Sequence, residues 1–200
     1  MVTIRQLEKL KFGALEEAEE SWRESSARLD YHREEVDRSM RAPLKEHWKG
    51  SAADSAQSRM SRLSGNFANG AQQCGLIRRS VKGAVSELRV EQKKLQAALD
   101  EADSHGFTVD DDGRVSPKNP DAVYSEDVAA RKELAMQDIA DRIAEAVKLA
   151  TEIDERYRNT LMSLRPEDGL KVDRANAAHD AKGVDIALPS HLQGGGPPSR

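Results

Sequence analysis

The chain has 200 residues, of which 38% are hydrophobic, 33% are charged and only 4% are aromatic. The formal net charge is −4 with both signs interspersed, so no basic surface favours nucleic acid and no polybasic segment favours anionic lipid. No run of about 18 apolar residues predicts a membrane span, and the N-terminus lacks the apolar stretch of a signal peptide.

The first predicted helix runs from Ile4 to about Pro43. Nearly every residue in this range is a good helix former. Pro43 is expected to end or bend the helix, because proline lacks a backbone donor and crowds the preceding turn. Apolar residues recur at steps of three and four, and they are Leu15, Ala18, Trp22, Leu29, Val36 and Met40. The pattern predicts that Trp22 is a core residue.

The second predicted helix follows Gly50, with Ser51 as its predicted N-cap. Its apolar residues alternate steps of four and three, with one gap at Glu91 and Gln92. They are Ala56, Met60, Leu63, Phe67, Gly70, Cys74, Ile77, Val81, Ala84, Leu88, Leu95, Ala98 and Ala102. A mean spacing of about 3.5 residues predicts a coiled-coil seam, which a partner helix must cover.

Small residues in the first half of this helix would let another helix approach closely. They are Gly65, Gly70, Ala71 and Gly75. Cys74 is the only cysteine and lies on the apolar stripe, so it is expected to pack as a small hydrophobe. It cannot form an internal disulfide.

Apolar and polar residues alternate between Gly106 and Pro117. This pattern predicts a short β-hairpin with a turn at Gly113. The acidic residues beside this glycine invite comparison with a calcium-binding loop. With Gly113 at the sixth position of that loop, the first and twelfth positions would be Thr108 and Asn119, where carboxylates are needed. A calcium site is therefore not predicted.

A third helix is predicted from Asp121 or Ser125 to about Arg165, and Pro166 stops it. Its apolar side is formed by Val128, Ala135, Ile139, Ile143, Val147, Ala150, Ile153, Tyr157 and Leu161 or Leu164. Beyond it the periodicity fades, and three glycines with two prolines predict a flexible tail.

These elements predict an all-α fold. Residues 1–104 form a long antiparallel, coiled-coil-like helical hairpin, and residues 105–118 form a small β-hairpin connection. Residues 119–166 form the third long helix, and residues 167–200 form a tail or linker that is largely disordered.

Residues able to support catalysis are scattered. The five histidines fall in separate segments without metal-ligand spacing. The sequence contains neither a phosphate-binding glycine loop nor a nucleophile elbow, and the carboxylates lie on helix faces beside lysines and arginines. The sequence therefore predicts no enzyme, no catalytic residue, no metal site and no cofactor.

The junction of the first two helices carries the most specific signal. It reads His47-Trp48-Lys49-Gly50-Ser51-Ala52-Ala53, and it resembles the Trp-x-Gly family of small substrates of bacterial type VII secretion systems. In that family the motif marks the bend between two antiparallel helices. The resemblance covers Met1 to Asp103 and implies that Trp48 and Gly50 form the turn and recognition motif. Trp48 would cover the end of the bundle, and Gly50 would relieve strain at the bend.

The resemblance implies a non-catalytic secretion substrate or targeting module that acts through helical protein-protein recognition. Such a protein is exported folded by the type VII machinery, as a homodimer or as a heterodimer with a small family partner. It is cytoplasmic before export and secreted without a signal peptide. Neither nucleic-acid binding nor stable membrane insertion is expected.

Two features depart from the family pattern. The chain is longer than usual, which suggests a longer class or the N-terminal targeting region of a larger effector. The family's export signal, Tyr-x-x-x-Asp/Glu, has no match after the second helix. Tyr31 and Glu35 have the spacing of a secretion signal but lie inside the first helix, where chance and helix packing also explain them.

Two other functions remain open at this point. The first is a cytoplasmic coiled-coil scaffold or adaptor that oligomerises through the second helix. The second is the delivery domain of a polymorphic toxin whose catalytic part follows residue 200.

Overall fold

A computed structural model describes residues 1–164, and the predicted tail, together with the predicted helix stop at Pro166, lies outside the described residues. The predicted mostly all-α fold with a two-stranded antiparallel hairpin is confirmed. In chain order the elements are α1 (Ile4–Glu8), α2 (Gly13–Glu35), a π-helical turn (Val36–Arg41), α3 (Ala42–His47), α4 (Ser51–Ser104), β1 (Phe107–Val109), β2 (Val115–Pro117) and α5 (Glu126–Ser163).

The first predicted helix is broken near its start. Thr3 caps α1 in a reciprocal capping box with Gln6, and helical structure resumes only at Gly13. The break lets both Leu7 and Phe12 become buried, at 1% and 8% exposure. Helix propensity gave no warning of it, because burial of these side chains outweighs the local preference for a continuous helix.

Pro43 does not end the helical path, which was one of its two predicted effects, because helical residues continue to His47. It lies in the first turn of α3, directly after a π-helical turn. The turn before it, Val36–Arg41, is π-helical and therefore wider than an α-turn. Met40, predicted on the buried stripe, lies within this turn and is 45% exposed, because the wider turn departs from the helical period on which the prediction rested.

The described residues form two compact units, and α4 contributes to both. One unit, called the turn unit here, contains Glu17–Arg79 and residues 161–164. In it α2 and α4 run antiparallel, since Ser26 Oγ donates to the carbonyl of Ala71 at 2.9 Å, whereas the later Asp37 accepts from the earlier Ser64 at 3.0 Å. Its buried apolar residues are Trp22, Val36, Ala53, Phe67, Ala71 and Cys74.

The other unit, called the core unit here, contains Met1–Glu16 and Ser80–Thr160. Here α5 packs antiparallel to α4, because Arg142 pairs with Glu101 whereas the later Tyr157 bonds the earlier Glu87. The third long helix thus packs within its own chain. The core combines α1, α4, β1 and α5 through Leu7, Leu95, Ala98, Ala102, Phe107, Ile139, Ile143, Ala146 and Ala150.

The apolar stripe of α4 is confirmed along its length, because every predicted position is buried or half-buried. The gap in the stripe marks a polar contact. Glu91 is only 5% exposed there, and the side-chain amide of Gln92 donates to the carbonyls of Leu7, Glu8 and Leu10 at 2.9–3.1 Å. Gln92 thereby satisfies the open carbonyls at the end of α1.

Candidate functional site: the Trp-x-Gly turn and its surroundings

The Trp-x-Gly turn, residues Trp48–Gly50, connects α3 to α4. The backbone of Trp48 is extended, and its N–H donates to the carbonyl of Leu44 at 3.1 Å. Gly50 has a φ of +107°, which L side chains rarely adopt. No atom lies within 4 Å of a Cβ added to Gly50, so backbone conformation rather than crowding explains the glycine.

The start of α4 differs by one residue from the prediction. The N–H of Asp54 donates to the carbonyl of Gly50 at 3.0 Å, which places Gly50 at the N-cap position. Ser51 is already helical, and its carbonyl accepts from Ser55 Oγ. Ser51 as the N-cap was therefore wrong, because the turn itself supplies the first helical acceptor.

The two tryptophans lie in different environments. Trp22 is 8% exposed and confirms the prediction of a core residue, whereas Trp48 is 45% exposed. Its neighbours His47 and Lys49 are exposed as well. The turn therefore presents part of an indole to solvent beside groups that can carry positive charge. Large half-exposed aromatic side chains of this kind are favoured at protein interfaces.

Tyr31 and Glu35 lie in the last turns of α2, which ends at Glu35, and Tyr31 is 62% exposed. Hydrogen bonding to the Glu35 carboxylate one helical turn away raises the pKa of Tyr31. At the usual helical rise per residue, Tyr31 lies about 25 Å from Trp48 along the chain's helical path. The structure therefore joins Tyr31 to Glu35 but does not bring this pair to the turn.

Asp37 forms a contact between the π-helical turn and α4 that sequence reasoning missed. Its carboxylate accepts from Arg41 Nη1 at 2.5 Å and from the Oγ of buried Ser64 at 3.0 Å. The bond from Arg41, followed by that from Ser64, lowers the pKa of Asp37. The spacing of Asp37 and Arg41 was visible in the sequence, but Ser64 carried no signal.

A second missed contact joins α4 and α5 in the core unit. The Tyr157 hydroxyl donates to Glu87 at 2.6 Å, and Arg156 pairs with the same carboxylate. Glycine at position 83 makes room for the tyrosine, since a Cβ there would lie 2.9 Å from the Tyr157 Cζ. Bonding to Tyr157 lowers the pKa of Glu87 and raises that of the tyrosine.

Two reactive types of side chain elsewhere have structural roles. Cys74 is buried, and burial raises the pKa of its thiol. Asp110 closes the hairpin turn by accepting from the backbone N–H groups of Asp112 and Arg114. Within residues 1–164, His, Cys, Asp and Glu side chains are nowhere grouped so as to hold a metal ion.

A search of the same residues for membrane spans finds no helix that is long and apolar enough to cross a bilayer.

Comparison with protein-family models, with curated proteins and with solved structures finds no significant match to this chain.

Proposed function

We propose that the chain is a non-catalytic substrate or targeting module of a type VII secretion system. It is recognised through its helical surfaces and is exported from the cytoplasm without a signal peptide. Trp48 and Gly50 carry the recognition turn. This assignment rests on the resemblance of that turn to the Trp-x-Gly family.

The geometry of the turn is the observation that carries the proposal. Gly50 adopts a left-handed conformation, and α2 and α4 run antiparallel on either side of the turn. A tryptophan needed only for packing would be buried like Trp22, whereas Trp48 leaves 45% of its surface exposed. An exposed aromatic side chain on a rigid turn suits recognition, since little rotamer entropy is lost when it binds.

Tyr31 and Glu35 contribute to the proposal only as a candidate signal. Their exposed position on α2 makes them accessible to a receptor. Because this pair is separated from the Trp-x-Gly turn, one small contact surface cannot include both the pair and the turn. A small family partner in a heterodimer would supply the signal if Tyr31 and Glu35 do not.

The scaffold alternative rested on an uncovered seam along α4. In the core unit that seam is already covered within the chain, since Leu95, Ala98 and Ala102 are at most 1% exposed. Oligomerisation through this part of the stripe would require the core unit to open. A dimer with a second copy or a family partner would instead use exposed surfaces.

Export from the native host tests the proposal. The full chain is measured in culture supernatant from wild-type cells and from cells that lack the secretion ATPase, with an abundant cytoplasmic protein as the control for lysis. We expect export in the first strain and retention in the second. Undiminished export without the ATPase, or no export from either strain, would contradict the proposal.

A further inference from the structure

A groove in the core unit joins apolar and cationic side chains. It lies where the end of α4 and strand β1 meet the first turns of α5, and its volume is about 280 Å³. Val128 and Ala135 are half-buried and supply apolar surface, and Phe107, only 2% exposed, lies beneath them at the floor. The lining also includes His105, Arg131 and Lys132. This set of six residues is called the cationic groove below.

Lys132 is held over two aromatic rings. Its Nζ lies 4.6 Å from the ring centroid of Tyr124 and 5.3 Å from that of Phe107. The ring of His105 in turn lies 5.8 Å from that of Phe107. Cation-π contacts fix the position of an ammonium group without neutralising it. Tyr124 is 41% exposed, so it extends aromatic surface from the groove to solvent.

The two permanent cations of the groove lack carboxylate partners within residues 1–164. Arg131 donates its Nε to the backbone carbonyl of Asp127 at 3.2 Å, and Lys132 makes only the two cation-π contacts. Other cations on α5 differ. Arg142, Lys148, Arg156 and Arg158 all have carboxylate partners.

A neighbouring cleft shows that this arrangement is specific to the groove. That cleft lies between α1, α4 and the hairpin and is larger, at about 480 Å³. Its lining is not cationic overall, because the cations Arg5, Lys9 and Lys118 stand beside four carboxylates, those of Glu8, Asp103, Asp110 and Asp111. Arg5 pairs with Asp111 at 3.2 Å, and Lys118 pairs with Asp103 at 2.5 Å. Of the two, only the cationic groove has a lining that contains cations and no carboxylate.

From this geometry we propose that the cationic groove binds an acidic peptide segment of a partner protein. An apolar side chain of that segment packs against half-buried Val128 and Ala135. Carboxylates beside it pair with Arg131 and Lys132. These ion pairs become stronger when the peptide displaces water from the groove. The occupant is a short segment, since the groove has room for only a few side chains.

Charge complementarity favours a peptide over an extended polyanion. The chain carries a net charge of −4, and α5 begins with Glu126 and Asp127 close to the groove in sequence. A nucleic acid or an anionic membrane would contact these acidic residues as well as the groove, and they would repel it. A short peptide meets mainly the two cations.

Backbone amide shifts of the full chain, followed by NMR, test the proposal. The probe is N-acetyl-Glu-Glu-Leu-Phe-Glu-Glu-amide. One comparison peptide replaces every glutamate by lysine, and the other replaces Leu-Phe by Gly-Ser. We expect the acidic apolar probe to shift groove amides most strongly and to weaken as salt rises. Each comparison peptide should bind at least about tenfold more weakly.

Variants on one helix supply the matched controls. Arg131→Gln with Lys132→Gln should weaken binding of the acidic probe by about tenfold or more. Lys148→Gln with Arg158→Gln also removes two charges from α5 and should leave binding unchanged. Replacing both groove cations by glutamate should transfer the preference to the lysine peptide, a gain that misfolding cannot produce.

Three outcomes would overturn the proposal. One is equal binding of the acidic and lysine peptides, and another is binding that the groove variants leave intact. The third is binding of phosphatidylserine vesicles without peptide shifts. The proposal does not depend on secretion, because it concerns a surface remote in sequence from the Trp-x-Gly turn.

Discussion

At the scale of single residues, Gly83 sets how closely Tyr157 approaches α4. A Cβ at this position would lie 2.9 Å from Tyr157 Cζ and 3.0 Å from Cε1, closer than an unmoved ring permits. We expect Gly83→Ala to lower the free energy of unfolding by about 1–3 kcal/mol, as overpacking does. Urea unfolding followed by circular dichroism measures the change.

Gly65→Ala is the matched control on the same helix. No atom lies within 4 Å of a Cβ added there, so only the helix propensity changes. That variant should gain about 0.5–1 kcal/mol. Adding Tyr157→Phe to Gly83→Ala should recover part of the loss, because it removes the hydroxyl. Equal effects of alanine at both glycines would contradict the crowding at position 83.

Gln92 is the second residue whose role is specific. Its amide reaches the carbonyls of Leu7, Glu8 and Leu10, so Gln92→Ala leaves the end of α1 without this partner. We expect a loss of about 1–3 kcal/mol and faster hydrogen exchange in α1. Gln96→Ala removes a similar amide, which bonds only exposed Asp100. Exchange in α1 should not respond to that control, and an equal response would remove the special role of Gln92.

At the scale of elements, the contact between α4 and α5 depends on pH in a defined direction. The folded pKa of Glu87 lies below its ordinary 4.5, so its contribution to stability is present above that pH and is lost as pH falls through the folded value. The folded pKa of Tyr157 lies above its ordinary 10.0. Its contribution is therefore full below that pH and is lost as pH rises through the folded value.

Tyr157→Phe tests this coupling. We expect the pKa of Glu87, followed by NMR of its side-chain carboxyl, to rise towards 4.5 because its largest stabilising bond is gone. The alkaline loss of stability that Tyr157 causes should also disappear. Glu20 is the control, because Arg23 lowers its pKa within α2 and the substitution does not touch that pair. An unchanged pKa of Glu87 would contradict the bond.

The elements that the sequence predicted best are those with long apolar periodicity. Every position predicted on the α4 stripe is buried or half-buried, because packing against neighbouring helices selects the same spacing that the sequence shows. Ala53, Ala71 and Val85 are buried outside the predicted stripe. The α5 stripe was similarly clear. In both helices the apolar spacing of three and four residues repeats so often that one exception does not change the prediction.

Local breaks in periodicity were predicted less well. The interruption between α1 and α2 depends on burial of Leu7 and Phe12, and no proline or glycine at the end of α1 announces it. The π-helical turn moved Met40 out of the buried stripe, which a fixed helical period cannot anticipate. The half-exposure of Trp48 depends on side-chain placement at the turn, which sequence spacing does not determine.

At the scale of the whole molecule, the described residues bury the α4 stripe without a second chain. Two compact units share this helix. We therefore expect the unfolding midpoint to stay constant over about a hundredfold range of protein concentration, since mass action has no effect when folding requires one chain. Thermal scans measure it. A midpoint that rises with concentration would show that a second copy stabilises the fold, and it would contradict folding by one chain alone.

Export and stability of two tryptophan variants test the role of the Trp-x-Gly turn. Trp22→Ala removes a buried side chain and should cost about 3–5 kcal/mol. Trp48→Ala removes a side chain that is 45% exposed and should cost less than half of that. If Trp48 acts in recognition, the Trp48→Ala chain remains folded in the cell but is no longer exported by the type VII machinery. Normal export of a folded Trp48→Ala chain would contradict the assigned role of the Trp-x-Gly turn.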